Sequence, residues 1–231
     1  MHIPAFEHSP YFLIVLFAIV AGVLSVTILL RKRGLDWREI GLSTMLTVVC
    51  LASFSAMSSY LRAGNIHDCG FDGIGAIVGL VFGLGFSLWL FPRQNNQLVE
   101  AWSISTPLMY GLSKIACFVV GCCRGISYDG LMAVYYGDSD SGYCPIQLIE
   151  AIIFVSLFVG LIFASEKLKT WQLMGLSVWA SLILKFLLDF LRDTHAKSLL
   201  SMNQWMLMVF AAGFAVFCYL SKSMKTKNIV K

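Results

Sequence analysis

Seven stretches of the chain run apolar for about the width of a bilayer, and short polar connections separate them. They cover residues 10–30, 40–61, 73–91, 99–120, 146–163, 171–191 and 204–220. At 1.5 Å rise per residue, about 20 helical residues cross roughly 30 Å of hydrocarbon, so each stretch is long enough to span. The pattern predicts an all-α integral membrane protein with about seven transmembrane helices, built as one polytopic domain over residues 1–231. The first stretch runs directly into Arg31-Lys32-Arg33 with no small-residue cleavage site behind it, and so reads as a retained helix rather than a signal peptide.

Composition sharpens this. Of the 231 residues 58% are hydrophobic and 13% charged, against about 25% charged in a soluble domain. Mean hydropathy is +0.77. These values exclude a soluble enzyme, a disordered tail and a nucleic-acid-binding module. The net charge of +4 matters through its placement. Arg31, Lys32, Arg33, Arg38, Arg93, Lys167, Lys169 and the lysines of the C-terminal tail fall on one side of the predicted spans, while Arg62, Arg124, Arg192 and Lys197 fall on the other. Basic loops stay cytoplasmic, which puts the N-terminus outside and the C-terminus inside, as an odd number of spans requires. No internal repeat is visible, which argues against a repeat-built transporter.

The third stretch carries Gly75, Gly79 and Gly83 at intervals of four. Such a stripe lets a second helix approach closely; a lipid or substrate groove along the same face is the alternative. Ionisable residues inside a bilayer cost several kcal/mol and are functional candidates by default. Here they are Lys114 in the fourth stretch, Glu150 in the fifth, and Lys185 with Asp189 in the sixth, with Asp72 at the mouth of the third. Lys185 and Asp189 share a helical face that Arg192 continues. They make either a structural pair pinning two helices or part of a site. Lys114 has no acidic residue at helical spacing, so its partner must be another helix, a lipid headgroup or water. Two cations in the outer half of the membrane would suit a phosphate, and could stabilise the charge that develops as its ester bond breaks.

Of the seven cysteines, Cys50 and Cys218 read as helix-packing residues, while Cys69, Cys122, Cys123 and Cys144 lie toward the outer side, with Cys117 close by in the chain. In an oxidising compartment a disulfide between these loops is expected, its connectivity open. The C-x4-C-C spacing is not that of a zinc knuckle, and no Cys-x-x-Cys is present, so neither metal nor thiol exchange is expected.

The segment Ser113-Lys114-Ile115-Ala116-Cys117-Phe118-Val119-Val120-Gly121-Cys122-Cys123-Arg124-Gly125 resembles the signature of the prolipoprotein diacylglyceryl transferase family. Three further segments match in order. Phe71-Asp72-Gly73 before the glycine stripe resembles the family's His-Gly-Gly segment. Cys144-Pro145-Ile146-Gln147-Leu148-Ile149-Glu150 resembles its His-Pro-Ser-Gln-Leu-Tyr-Glu segment. Lys185 to Arg192, followed by Ser201-Met202-Asn203-Gln204, resembles its Arg-x-x-x-Glu-x-x-Arg and Ser-Met-Gly-Gln end. Seven spans with an outward N-terminus are also the family's topology.

The resemblance implies an enzyme of the bacterial inner membrane that needs no cofactor. Its substrates would be phosphatidylglycerol, or another anionic phospholipid, and the lipobox segment of a preprolipoprotein. It would move a diacylglyceryl group to the lipobox cysteine thiol, with glycerol phosphate leaving. By the same resemblance Lys114, Lys185 and Asp72 would be catalytic, and Gln147, Glu150, Asp189, Arg192, Gly121, Gly125 and Gln204 would bind substrate. Lys114 and Lys185 stand where the family has arginine, which keeps the charge and loses the planar fork. Asp72 stands for its histidine, Ser181 for a tyrosine and Cys122 for an acidic residue. The alternatives are a related transferase with another acceptor or headgroup, and a non-catalytic membrane protein that binds lipid or a partner.

Overall fold

The computed structural model describes residues 1–3, 10–64, 71–137, 140–193 and 199–229, with side chains described to residue 219. Among the described residues, seven helices are long and apolar enough to cross a membrane: α1 Tyr11–Lys32, α2 Trp37–Ala63, α3 Gly73–Leu90, α4 Asn95–Val120, α5 Ile146–Ser165, α6 Thr170–Asp189 and α7 Met202–Ile229. The expected all-helical architecture is therefore observed, and this is a multi-pass membrane protein. Two boundaries differ in an instructive way. Helix α4 begins four residues before the apolar run, at Asn95, because a short 3-10 turn at Pro92–Gln94 feeds into it and its first turn is polar. Helix α6 ends at Asp189, before the apolar run does, and a tight turn follows in which the Arg192 N–H donates to the Asp189 carbonyl at 3.0 Å.

The chain divides into two compact units. One comprises residues 19–109 and 158–174. Its core gathers Val26 and Leu30 of α1, Ile40 and Leu51 of α2, and Leu98, Trp102 and Met109 of α4, with Leu80, Leu84 and Leu88 of α3 packed against them. The glycine stripe is a helix seam. A Cβ on Gly75 would lie 2.4 Å from the Phe54 carbonyl oxygen, one on Gly79 2.4 Å from that of Cys50, and one on Gly83 2.7 Å from the Thr47 Cα. Ser87 continues the stripe and reaches Thr47 Oγ1 at 3.2 Å. With the α2 backbone seated on it, this face leaves no groove for a lipid.

The other unit comprises residues 1–18, 110–157 and 175–231. Ile146, Ile149, Ile153 and Leu157, spaced by three and four along α5, pack with Phe154, with Leu184 and Leu188 of α6 and with Tyr110 of α4. Between α4 and α5 the chain forms a small cap. His2–Ile3 (β1) pairs in parallel with Tyr135–Tyr136 (β2), and the amino group of Met1 donates to the Ala133 carbonyl at 2.9 Å. Ile3, Phe118, Val134 and Tyr136 form the core beneath this pairing. The cap holds the segment from Gly121 to Gly125 against the start of α5.

Candidate functional site

Glu150 organises the unit that carries the small cap. It stands on the second turn of α5, fully buried, and three cations reach its carboxylate. Lys114 Nζ of α4 lies 3.3 Å from Oε2, Lys185 Nζ of α6 2.5 Å from Oε1, and Arg192 Nη2, in the turn after α6, 3.1 Å from both oxygens. The partner that Lys114 requires is thus on another helix. The predicted Lys185 and Asp189 pair also forms, but more loosely, with 3.9 Å between Nζ and Oδ1. Arg192 Nε lies 3.5 Å from the same oxygen of Asp189. Burial works against the charge of Arg192, but Glu150 and then Tyr110 more than offset it, and the guanidinium is held cationic above its ordinary range.

Charge does not balance here. Among the described residues, Lys114, Lys185 and Arg192 face Glu150 and Asp189, so three positive charges meet two negative ones at a site where Lys114 is 8% exposed and Arg192 5%. Unpaired charge in such surroundings costs several kcal/mol unless an anion arrives to match it. Tyr110 lies beneath the cluster. Its ring centroid is 4.8 Å from Lys114 Nζ and 5.7 Å from Lys185 Nζ, within cation–π range of both. The sequence reading passed over this residue, although its place four positions before Lys114 sets it on the same helical face.

The other expected site residues surround this cluster and are themselves held. Gln147, also buried, donates from Nε2 to the Cys122 carbonyl at 2.8 Å and so ties α5 to the turn that ends α4. Asp189 accepts from the Ser201 hydroxyl. Ser201 and Gln204 form a reciprocal cap at the start of α7. Gln204 Oε1 accepts from the Ser201 N–H at 3.0 Å, and Ser201 Oγ accepts from the Gln204 N–H at 3.1 Å. Gln204 Nε2 also donates to the Phe186 carbonyl at 3.2 Å.

Gly121, at φ 72°, ends α4 in the left-handed region, and a Cβ there would fall 2.6 Å from the Tyr136 ring. At Gly125 a Cβ would meet the Cys144 carbonyl oxygen at 2.4 Å. Arg124 donates from Nε to the Gly121 carbonyl at 2.9 Å, and its guanidinium lies over the rings of Tyr136 and Tyr143. Burial pushes the Tyr136 phenol up to about 12.

Asp72 belongs to the other unit. It caps α3, accepting from the Gly75 N–H at 2.9 Å and from Ser58 Oγ at 2.6 Å, with Arg62 Nη1 at 3.3 Å. The expected loop disulfide is not present among the described residues: Cys50, Cys117, Cys122, Cys123, Cys144 and Cys218 are all free. The turn at Gly121 directs Cys122 back toward its own helix instead of out toward a neighbouring loop. Cys69 lies outside the described residues.

A family model described as prolipoprotein diacylglyceryl transferase matches residues 1–220 of the chain. No curated protein matches it.

Proposed function

Since the chain belongs to the prolipoprotein diacylglyceryl transferase family, with a transferase-like function and a multi-pass membrane fold, we propose that it transfers a diacylglyceryl group from phosphatidylglycerol to a lipobox cysteine in the bacterial inner membrane, with its N-terminus outside. The observation that carries this reading is the buried excess of positive charge around Glu150. A phospholipid phosphate is the anion a membrane supplies in abundance, and it would complete the charge of the cluster.

In the proposed reaction the lipobox thiol gives up its proton, and its sulfur attacks the carbon of the diacylated glycerol that carries the phosphate ester. A C–S bond forms, the C–O bond breaks, and glycerol phosphate leaves with the electron pair. Lys114 and Lys185 hold that phosphate, with Arg192 behind them. Cations fixed in advance in a low-dielectric site stabilise charge at the leaving oxygen without reorganisation. Glu150 and Asp189 position the cations, Gln147 and Gln204 secure the helices that bear them, and Gly121 and Gly125 permit the close chain approach. The resemblance gives the thiol proton to Asp72, and an Asp72→Asn variant tests that part.

Lysine at two arginine positions and aspartate at a histidine position favour one second reading, a related transferase with a different acceptor or headgroup. The test is transfer of label from diacylglyceryl-labelled phosphatidylglycerol to a lipobox peptide by the purified protein, with other anionic phospholipids in parallel. A thioether-linked product from phosphatidylglycerol supports the first reading. A product only from another lipid supports the second, and no product from any lipid contradicts both.

A further inference from the structure

Just after Lys114 in the chain, α4 ends in a turn that gathers three thiols. The Gly121 N–H bonds back to the Phe118 carbonyl at 3.3 Å and the Cys122 N–H to the Cys117 carbonyl at 3.1 Å, with Gly121 left-handed, so the chain reverses over the last helical turn. Cys123 follows at φ 55°, also left-handed, which for a residue with a side chain is an uncommon conformation. As a result the sulfurs of Cys117, Cys122 and Cys123 all lie within 4.8 Å of one another, graded from buried through half-buried to exposed. In sequence these residues have no zinc-knuckle spacing; the helix end and its turn create the grouping.

We propose that Cys117, Cys122 and Cys123 bind one thiophilic d10 metal ion, zinc(II) or copper(I). Sulfurs bonded to one zinc at about 2.3 Å and tetrahedral angles sit about 3.8 Å apart, so the cluster closes on an ion with a contraction of about 1 Å or less. A donor set made only of thiols selects soft cations and rejects magnesium and calcium. Three thiolates also need positive surroundings. Lys114, one turn before Cys117, and Arg192 both act on Cys123 through their charge, and Arg124 is the next residue in the chain. On binding, each S–H bond breaks and its proton passes to solvent while a metal–sulfur bond forms, with no change of oxidation state. Because Gln147 donates to the Cys122 carbonyl, the ion would also fix the link between this turn and α5.

The experiment uses the full chain in detergent, reduced and then freed of reductant without oxygen. It is titrated with cobalt(II), then with zinc(II), and in a separate arm with copper(I) against a chromophoric chelator. The expected result is one equivalent bound, with thiolate-to-cobalt charge-transfer bands that one equivalent of zinc bleaches, or one equivalent of copper(I) taken from the chelator. Either arm supports the site, and the arms tell the two ions apart. Protons should be released and the melting temperature should rise. Cys117→Ser, Cys122→Ser and Cys123→Ser should each weaken binding at least tenfold, while Cys50→Ser and Cys218→Ser should not. Alkylating the cluster in the folded wild-type protein should abolish binding without any substitution. Blank titrations in both arms, binding that survives in the triple serine variant, or a disulfide among the three that persists with metal present would each overturn the proposal.

Discussion

Lys114 Nζ lies 3.3 Å from Glu150 Oε2, although α4 and α5 are separated by the whole capping segment in sequence. Lys185 and Arg192 reach the same carboxylate. One acidic side chain therefore holds three cations in place. Replacing Glu150 by Gln should leave all three without their shared partner, and the loss should be about 3–5 kcal/mol, as for other broken buried pairs. Thermal unfolding in detergent checks this. A Glu150→Gln protein as stable as its parent would mean that the carboxylate does not organise the cluster.

Lys185 has two acidic neighbours at different distances, 2.5 Å to Glu150 and 3.9 Å to Asp189. Double-mutant cycles should give a larger coupling for Lys185 with Glu150 than for Lys185 with Asp189, both within about 0.5–3 kcal/mol. Additivity for both pairs would show that neither interacts.

The α2–α3 seam depends on the absence of side chains on α3. In Gly79→Ala the new Cβ would lie 2.4 Å from the Cys50 carbonyl oxygen and 2.7 Å from the Leu51 Cα, both backbone, so the helices must part. A loss of about 1–3 kcal/mol is expected. Gly85→Ala meets nothing within 4 Å and should be neutral or mildly stabilising. Paired melting curves of the two variants decide it, and equal stabilities would contradict the seam.

Cys144 should respond to pH differently from a free cysteine. Burial pushes its thiol up. Since only the thiolate alkylates, Cys144 should need a higher pH than a free cysteine to react. A mass-spectrometric alkylation profile against pH measures this. A Cys144 profile that coincides with that of a free cysteine would contradict its burial.

The parts legible in the sequence were those governed by local patterning. Seven apolar runs gave seven helices, because in lipid every backbone polar group must bond within its own segment. The face shared by Lys185, Asp189 and Arg192 follows from helical spacing, and it persists through the tight turn after Asp189. What could not be read was which residues from different helices would meet. Glu150 as common partner of three cations depends on the packing of α4, α5 and α6. The three-thiol cluster depends on a left-handed turn whose direction the spacing of cysteines does not encode. Gln204 matches a family motif, yet its amide is engaged in capping α7 and in the Phe186 carbonyl. That engagement is visible only once the turn from α6 to α7 is folded.

The central claim is that the positive charge around Glu150 holds a departing phosphate. The measurement that tests it most directly is the rate of lipid transfer from labelled phosphatidylglycerol to a lipobox peptide by Lys114→Gln, Lys185→Gln, Lys114→Arg and Lys185→Arg proteins, each first shown to be folded by its melting curve. The expected result is a fall of about a hundredfold or more in either Gln variant, as for loss of another transition-state contact, with measurable activity kept in both Arg variants. Gln variants that remain folded and transfer lipid at the parent rate would contradict it.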